Sequence, residues 1–156
     1  MLFGRNRQGG NAMLEFAIAS AVLFPVMAGT FQFGYTFYAY NLLESAVANG
    51  GRYAAFRTYR CHGGSTDITK VKTAIKNMTV YSSPAASGDL VPVVRGLTPA
   101  AIDVSFTLNA QQIPTAVTVS VNSFTVQSVF QNYTFTGKPR CTIPFLGRYA
   151  PEESEP

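Results

Sequence analysis

An α+β architecture is what this sequence predicts: a long N-terminal helix able to cross a membrane, then a small head with a short helix and an antiparallel β-sheet. Three observations carry that expectation. No Lys, Arg, Asp or Glu occurs between Phe16 and Leu43. A second, amphipathic pattern runs from Asp67 to Met78, with Val71, Ala74, Ile75 and Met78 on one helical face. From Val80 onward the chain turns β-branched, aromatic and alternating, broken by turn residues.

The chain divides into four segments: residues 1–10 as a leader, 11–59 as a membrane and packing helix, 60–150 as an α+β head outside the membrane, and 151–156 as an acidic disordered tail. Arg5 and Arg7 precede the apolar run, so the N-terminus should stay cytoplasmic and everything after Leu43 should lie on the other side. The 28 positions from Phe16 to Leu43 would reach roughly 42 Å as a helix, longer than the roughly 30 Å hydrocarbon core. Glu15 stands at the mouth of that run. A carboxylate at depth costs roughly 2–4 kcal/mol to desolvate, which makes it a functional suspect in search of a cation. Its alternative is to snorkel toward the cytoplasmic headgroups.

Within the helix, Pro25 removes one backbone hydrogen bond and crowds the preceding turn, so a kink or a locally unwound stretch is expected there. Gly29 and Gly34 interrupt a belt of Phe24, Phe31, Phe33, Tyr35, Phe37, Tyr38 and Tyr40. Small residues let helices approach closely in an apolar medium, and the aromatic rings offer wide, stiff packing surfaces. The belt reads equally as an anchor in lipid at the outer leaflet and as a surface for neighbouring subunits. After Leu43 the helix becomes amphipathic: Leu43, Val47 and Ala54 share a face, with Glu44, Asn49 and Arg52 elsewhere. That face should dock the head.

Cys61-His-Gly-Gly-Ser65 ends the helical region, and Ser65, Thr66 or Asp67 can cap the next helix. Ile102–Leu108, Thr115–Asn122 and Phe124–Phe135 read as strands, with a last edge strand over Thr142–Tyr149. In the second of these, Val117, Val119 and Val121 should face the core while Thr118, Ser120 and Asn122 face out. Pro99, Pro114 and Pro139 punctuate the runs.

Net charge +4 is mild and the basic residues are scattered, so a nucleic-acid partner is not expected. Cys61 and Cys141 are the only cysteines. Outside a bacterial inner membrane such a pair reads as a disulfide, closing a loop of about 80 residues and contributing roughly 4.5 kcal/mol in the chain-entropy model. Two separate buried thiols are the alternative. His62 is the only histidine and follows Cys61 with no partner base in the sequence, and no zinc spacing, phosphate loop, dinucleotide fingerprint or paired carboxylates occur. Asp67, Asp89 and Asp103 stand alone, as a cap, a turn and a strand-edge charge. No enzymatic activity, cofactor or metal is expected.

The pattern of a basic leader, Gly10, Asn11 and, five residues past the glycine, Glu15 with Phe16 opening an apolar helix resembles the prepilin signal of type IV pilins. The run Glu44-Ser-Ala-Val-Ala-Asn-Gly-Gly-Arg52-Tyr-Ala-Ala resembles the small-residue segment after the membrane helix in TadE-like pseudopilins of Tad/Flp-type pili. The resemblance is specific over residues 4–59 and architectural beyond them. It implies a structural pilin subunit inserted in the bacterial inner membrane, lying among membrane lipid before assembly. A prepilin peptidase would cut it after Gly10, and an inner-membrane assembly platform would pass it into a filament with other pilin subunits. It also implies that Glu15 pairs with the new N-terminal ammonium on Asn11. Two other readings stay open at this point: a membrane-anchored binding or scaffold protein that never polymerises, and a secreted domain released by signal peptidase near Gly50. The N-terminal residue of the mature protein separates the three.

Overall fold

The computed structural model describes residues 8–57, 59–60, 65–85, 90–111, 113–127, 131–147 and 149–150. Helix α1 covers Gln8–Ala55 and is followed by a two-residue strand β1, Tyr59–Arg60, and helix α2, Ser65–Tyr81. A 3-10 turn at Pro99–Ala101 leads into strands β2 (Ile102–Leu108), β3 (Pro114–Val121), β4 (Ser123–Val126), β5 (Tyr133–Thr136), β6 (Arg140–Pro144) and β7 (Tyr149–Ala150).

The head is α+β, as expected, with its central sheet antiparallel in the order β2-β3-β6. Phe106 sits opposite Val117 and Val119 opposite Cys141 in that ladder. The run Phe124–Phe135 is not one strand. It folds on itself as the β4–β5 hairpin, with Phe124 opposite Phe135 and Val126 opposite Tyr133. The last strand arrives earlier than expected, at Arg140, and β7 instead pairs in parallel with β1, which ties the C-terminal segment to the end of α1. The same region is tied again by the Leu146 N–H donating to the Ala55 carbonyl at 2.9 Å, which satisfies one of the acceptors that a helix end leaves open.

One core joins these elements. Leu43, Val47 and Ala54 of α1, read from the sequence as the docking face, are fully enclosed by Ile75 and Val80 of α2 and by Val117, Val119 and Val121 of β3. Each such aliphatic side chain contributes about 1.5–3 kcal/mol when taken from water. Glu44, Asn49 and Arg52 stay exposed on the other side. Along β3 the expected alternation holds for the valines, but Ser120 is buried as well, so this strand is covered more fully than a one-sided pattern requires. Helix α2 begins two residues before Asp67 and runs three past Met78. Its last turn carries Thr79 and Val80 into the core.

Two expectations need correction. Residues 8–10 belong to α1, so the leader's end is helical, and α1 stops at Ala55 rather than near Tyr59. Of the two forms expected at Pro25, the unwound stretch is absent, α1 being continuous there. Residues 1–7 of the leader, the loop carrying Cys61 and His62, the side chains of Ser65, Thr66 and Asp67, and the 151–156 tail lie outside the described residues.

Candidate functional site

Of the residues singled out in the sequence, Gly10, Asn11, Glu15, Phe16, Pro25 and Gly29 lie on the stretch of α1 before Gln32, and Gly34 lies exposed just beyond it. From Asn11 to Phe31 every residue is exposed except the half-exposed Ser20 and Ala28. Phe16 is 72% exposed and Phe31 76%. Such a continuous apolar surface is stable only against lipid or other protein. Glu15 lies one turn beyond Asn11 and makes no hydrogen bond or ion pair among the described residues. The helix is long and apolar enough to cross a membrane.

Gly29 and Gly34 cut a notch into that surface. With Val26, Thr30, Phe33 and Phe37 they line a shallow concavity of about 620 Å³. A Cβ added at Gly10, Gly29 or Gly34 would meet no atom of this chain within 4 Å. Beside Pro25, the Thr30 hydroxyl donates to the Val26 carbonyl at 2.9 Å, a back-bond within the helix of the kind that favours bending.

The other half of α1 uses its glycines differently. A Cβ on Gly50 would overlap the Thr79 hydroxyl and stand 3.1 Å from Thr79 Cβ, and one on Gly51 would stand 3.2 Å from Ile143 Cδ1 and 3.4 Å from Cys141 Sγ. There α1 passes close enough that a side chain at 50 would have to displace Thr79 of α2, and one at 51 would press on Ile143 and Cys141 of β6. Cys141 has a free thiol, half-buried in this contact, so the structure gives the expected Cys61–Cys141 bridge no support.

Between the two halves sits a polar residue of the charge-free run that the sequence analysis did not single out. Gln32 is 8% exposed and donates its side-chain amide to the Gln131 carbonyl at 2.8 Å, bringing the connection between β4 and β5 down onto the helix. Above it, the Tyr40 ring packs on Phe135 with centroids 5.2 Å apart. The four steps from Gln131 to Phe135 rise about 13 Å as a strand, and the eight from Gln32 to Tyr40 about 12 Å as a helix, so β5 climbs alongside α1. The hairpin therefore shortens the bare helix. Asn11 to Phe31 spans about 32 Å, the thickness of a hydrocarbon core, where the charge-free run alone implied roughly 42 Å. A lone glutamine amid Phe31, Phe33 and Tyr35 was the signal available in the sequence.

Among the described residues no group of three or more His, Cys, Asp and Glu is placed to hold a metal ion.

With this geometry in view, comparison with known families gives one match: the TadE-like protein family model matches residues 10–52, the family that the sequence resembles. The match follows α1 almost end to end and includes nothing of the head. No curated protein and no solved structure matches the chain.

Proposed function

We propose, taking the TadE-like match of residues 10–52 as premise, that this chain is a pilin-like structural subunit of a Tad/Flp-type type IV pilus. It is inserted once in the bacterial inner membrane with its N-terminus cytoplasmic, cut after Gly10 by a prepilin peptidase, and moved by the inner-membrane assembly platform into a filament or to its base or tip, among other pilin subunits. The observation that carries this reading is the bare, bilayer-length half of α1 with its single carboxylate, which makes no ion pair among the described residues.

Assembly, not catalysis, is the mechanism. Cutting the Gly10–Asn11 bond frees an ammonium at Asn11, one helical turn from Glu15. In a low-dielectric helix bundle, ammonium and carboxylate each cost several kcal/mol if left alone and attract strongly when paired, within one subunit or between neighbours. The register between subunits then follows from satisfying both charges. Gly9 and Gly10 weaken the first turns of α1 by about 1 kcal/mol each relative to alanine, which helps a peptidase unwind the bond it cuts. Gly29 and Gly34 supply the notch for a neighbouring helix, and Pro25 with Thr30 a place to bend. The head, on the far side of the membrane, stays outward and ends up periplasmic or extracellular.

The test is the N-terminal residue of the mature protein by mass spectrometry, together with Gly10→Val. The account expects Asn11 as the first residue, and an uncut chain for Gly10→Val. A Cβ at position 10 meets nothing within 4 Å among the described residues outside its own helix backbone, so a loss of cutting reports on the peptidase and not on the fold. Mature, membrane-resident protein in pilus-bearing cells that still begins at Met1 would overturn it.

A further inference from the structure

The hairpin that ends the bare part of α1 also shapes a groove beside it. Tyr35, Arg95, Gly96, Thr125, Val126 and Gln127 line most of its roughly 430 Å³. Among the described residues no Asp or Glu lines it. Arg95 is exposed and makes no hydrogen bond or ion pair among the described residues.

Arg95 is held in place all the same. It occupies a tight turn closed by the Leu97 N–H donating to the Val94 carbonyl at 3.0 Å. Gly96 takes φ +84° at the position of that turn where a side chain would be strained. Val94 and Leu97 on either side are buried, 6% and 2% exposed, and the Val93 N–H donates to the Val80 carbonyl of α2 at 2.8 Å. The guanidinium therefore projects from a fixed base, opposite the end of β4. Besides the Thr125 hydroxyl, which is bonded to that of Thr134 at 2.8 Å, the groove's side-chain donors are this guanidinium, the Tyr35 hydroxyl and the Gln127 carboxamide.

The height of the groove identifies what it meets. With the hydrocarbon edge at Phe31, Tyr35 stands about 6 Å and Ala39 about 12 Å beyond it along the helix, which is the depth of the headgroup layer. A fixed cation with two neutral donors and no facing carboxylate is suited to a phosphate, and a guanidinium can bind one through two parallel hydrogen bonds. We propose that this groove holds the phosphate of a phospholipid headgroup, with Arg95 as its principal ligand, and so anchors the head to the membrane surface before assembly. This rests on the reading of α1 as a membrane span.

The test reconstitutes the full chain in phosphatidylglycerol vesicles carrying a photoactivatable group either on the headgroup or at the end of an acyl chain. Arg95→Gln should cut headgroup labelling of the protein about fivefold, the fold-change one basic residue at an anionic surface is worth, and Arg95→Lys should restore part of it. Lys138→Gln, in the turn at the other end of the hairpin, should change nothing. Acyl-chain labelling should be the same in all of them. Headgroup labelling indifferent to Arg95→Gln, with acyl labelling intact, overturns the groove alone. Loss of wild-type headgroup labelling to added inorganic phosphate makes this a free-anion site and overturns the lipid assignment. Absence of acyl labelling in the wild type overturns the membrane span and the groove with it.

Discussion

The two halves of α1 are built from similar residues toward opposite ends. Both carry glycines and aliphatic side chains, yet Gly29 and Gly34 face open space while Gly50 and Gly51 admit α2 and β6 to contact distance. Leu14 is 60% exposed and Leu43 is completely enclosed. Beyond Gln32 one face of α1 is progressively covered by this chain's own head, while Phe33, Phe37 and Tyr38 on the other face stay 61–67% exposed. The half before Gln32 presents the same packing chemistry with no intramolecular partner, so its partners lie outside the chain.

Matched substitutions in the two halves are the sharpest way to break that comparison. Leu43→Ala should destabilise the head by about 2–5 kcal/mol, because it empties an enclosed site, whereas Leu14→Ala should change its stability by no more than about 0.5 kcal/mol. Thermal unfolding of the full chain in detergent, followed by near-ultraviolet circular dichroism, reads both. Equal effects would mean that the halves are not distinct.

The glycine pair comes next in size. Gly50→Ala forces Thr79 aside, although its hydroxyl is bonded to the Ile75 carbonyl at 2.9 Å, and should cost about 1–3 kcal/mol. Gly29→Ala should leave the head's melting unchanged, or raise helix stability slightly, while lowering incorporation into filaments. Normal filaments from Gly29→Leu would remove the notch from the account.

Gln32→Leu is the smallest effect. It loses one hydrogen bond at the seam, worth about 0.5–1.5 kcal/mol, and the exposed Gln131 carbonyl recovers part of that from water. Hydrogen exchange should speed up at Asn132 to Tyr133 and not in β2 or β3. Uniform acceleration over the whole head would show that Gln32 is not a local clasp.

How much of this was legible in the sequence follows from the range of each interaction. The docking face at Leu43, Val47 and Ala54 was readable because helical periodicity is local, and β2 was found with its observed bounds for the same reason. The β4–β5 hairpin was missed because Gln127 to Asn132 contains neither glycine nor proline to mark a turn. The end of the bare helix was not readable at all. It depends on a partner 99 positions away, so the charge-free run overstated the span by the part of α1 that the hairpin covers. The early start of α1, at Gln8, was not expected because residues 1–10 read as a leader ending at Gly10, although a helix already extended by its neighbours can include two glycines. Of the candidate site, Glu15, Gly29 and Gly34 are exposed on α1, the last just beyond Gln32, whereas Cys141 lies in the packed region with a free thiol.

The boundary at Gln32 is the central claim, and accessibility of single cysteines to a membrane-impermeant maleimide tests it most directly. The measurement uses the full chain with Cys61→Ser and Cys141→Ser, reconstituted as unassembled protein in vesicles with the head outward. Cysteines at Phe24 and Ala28 should react only after the vesicles are dissolved, while cysteines at Tyr38 and Asn41 should react at once. If Tyr38→Cys is as protected as Phe24→Cys, the span runs on toward Leu43, the head does not mark the membrane surface, and the account is contradicted.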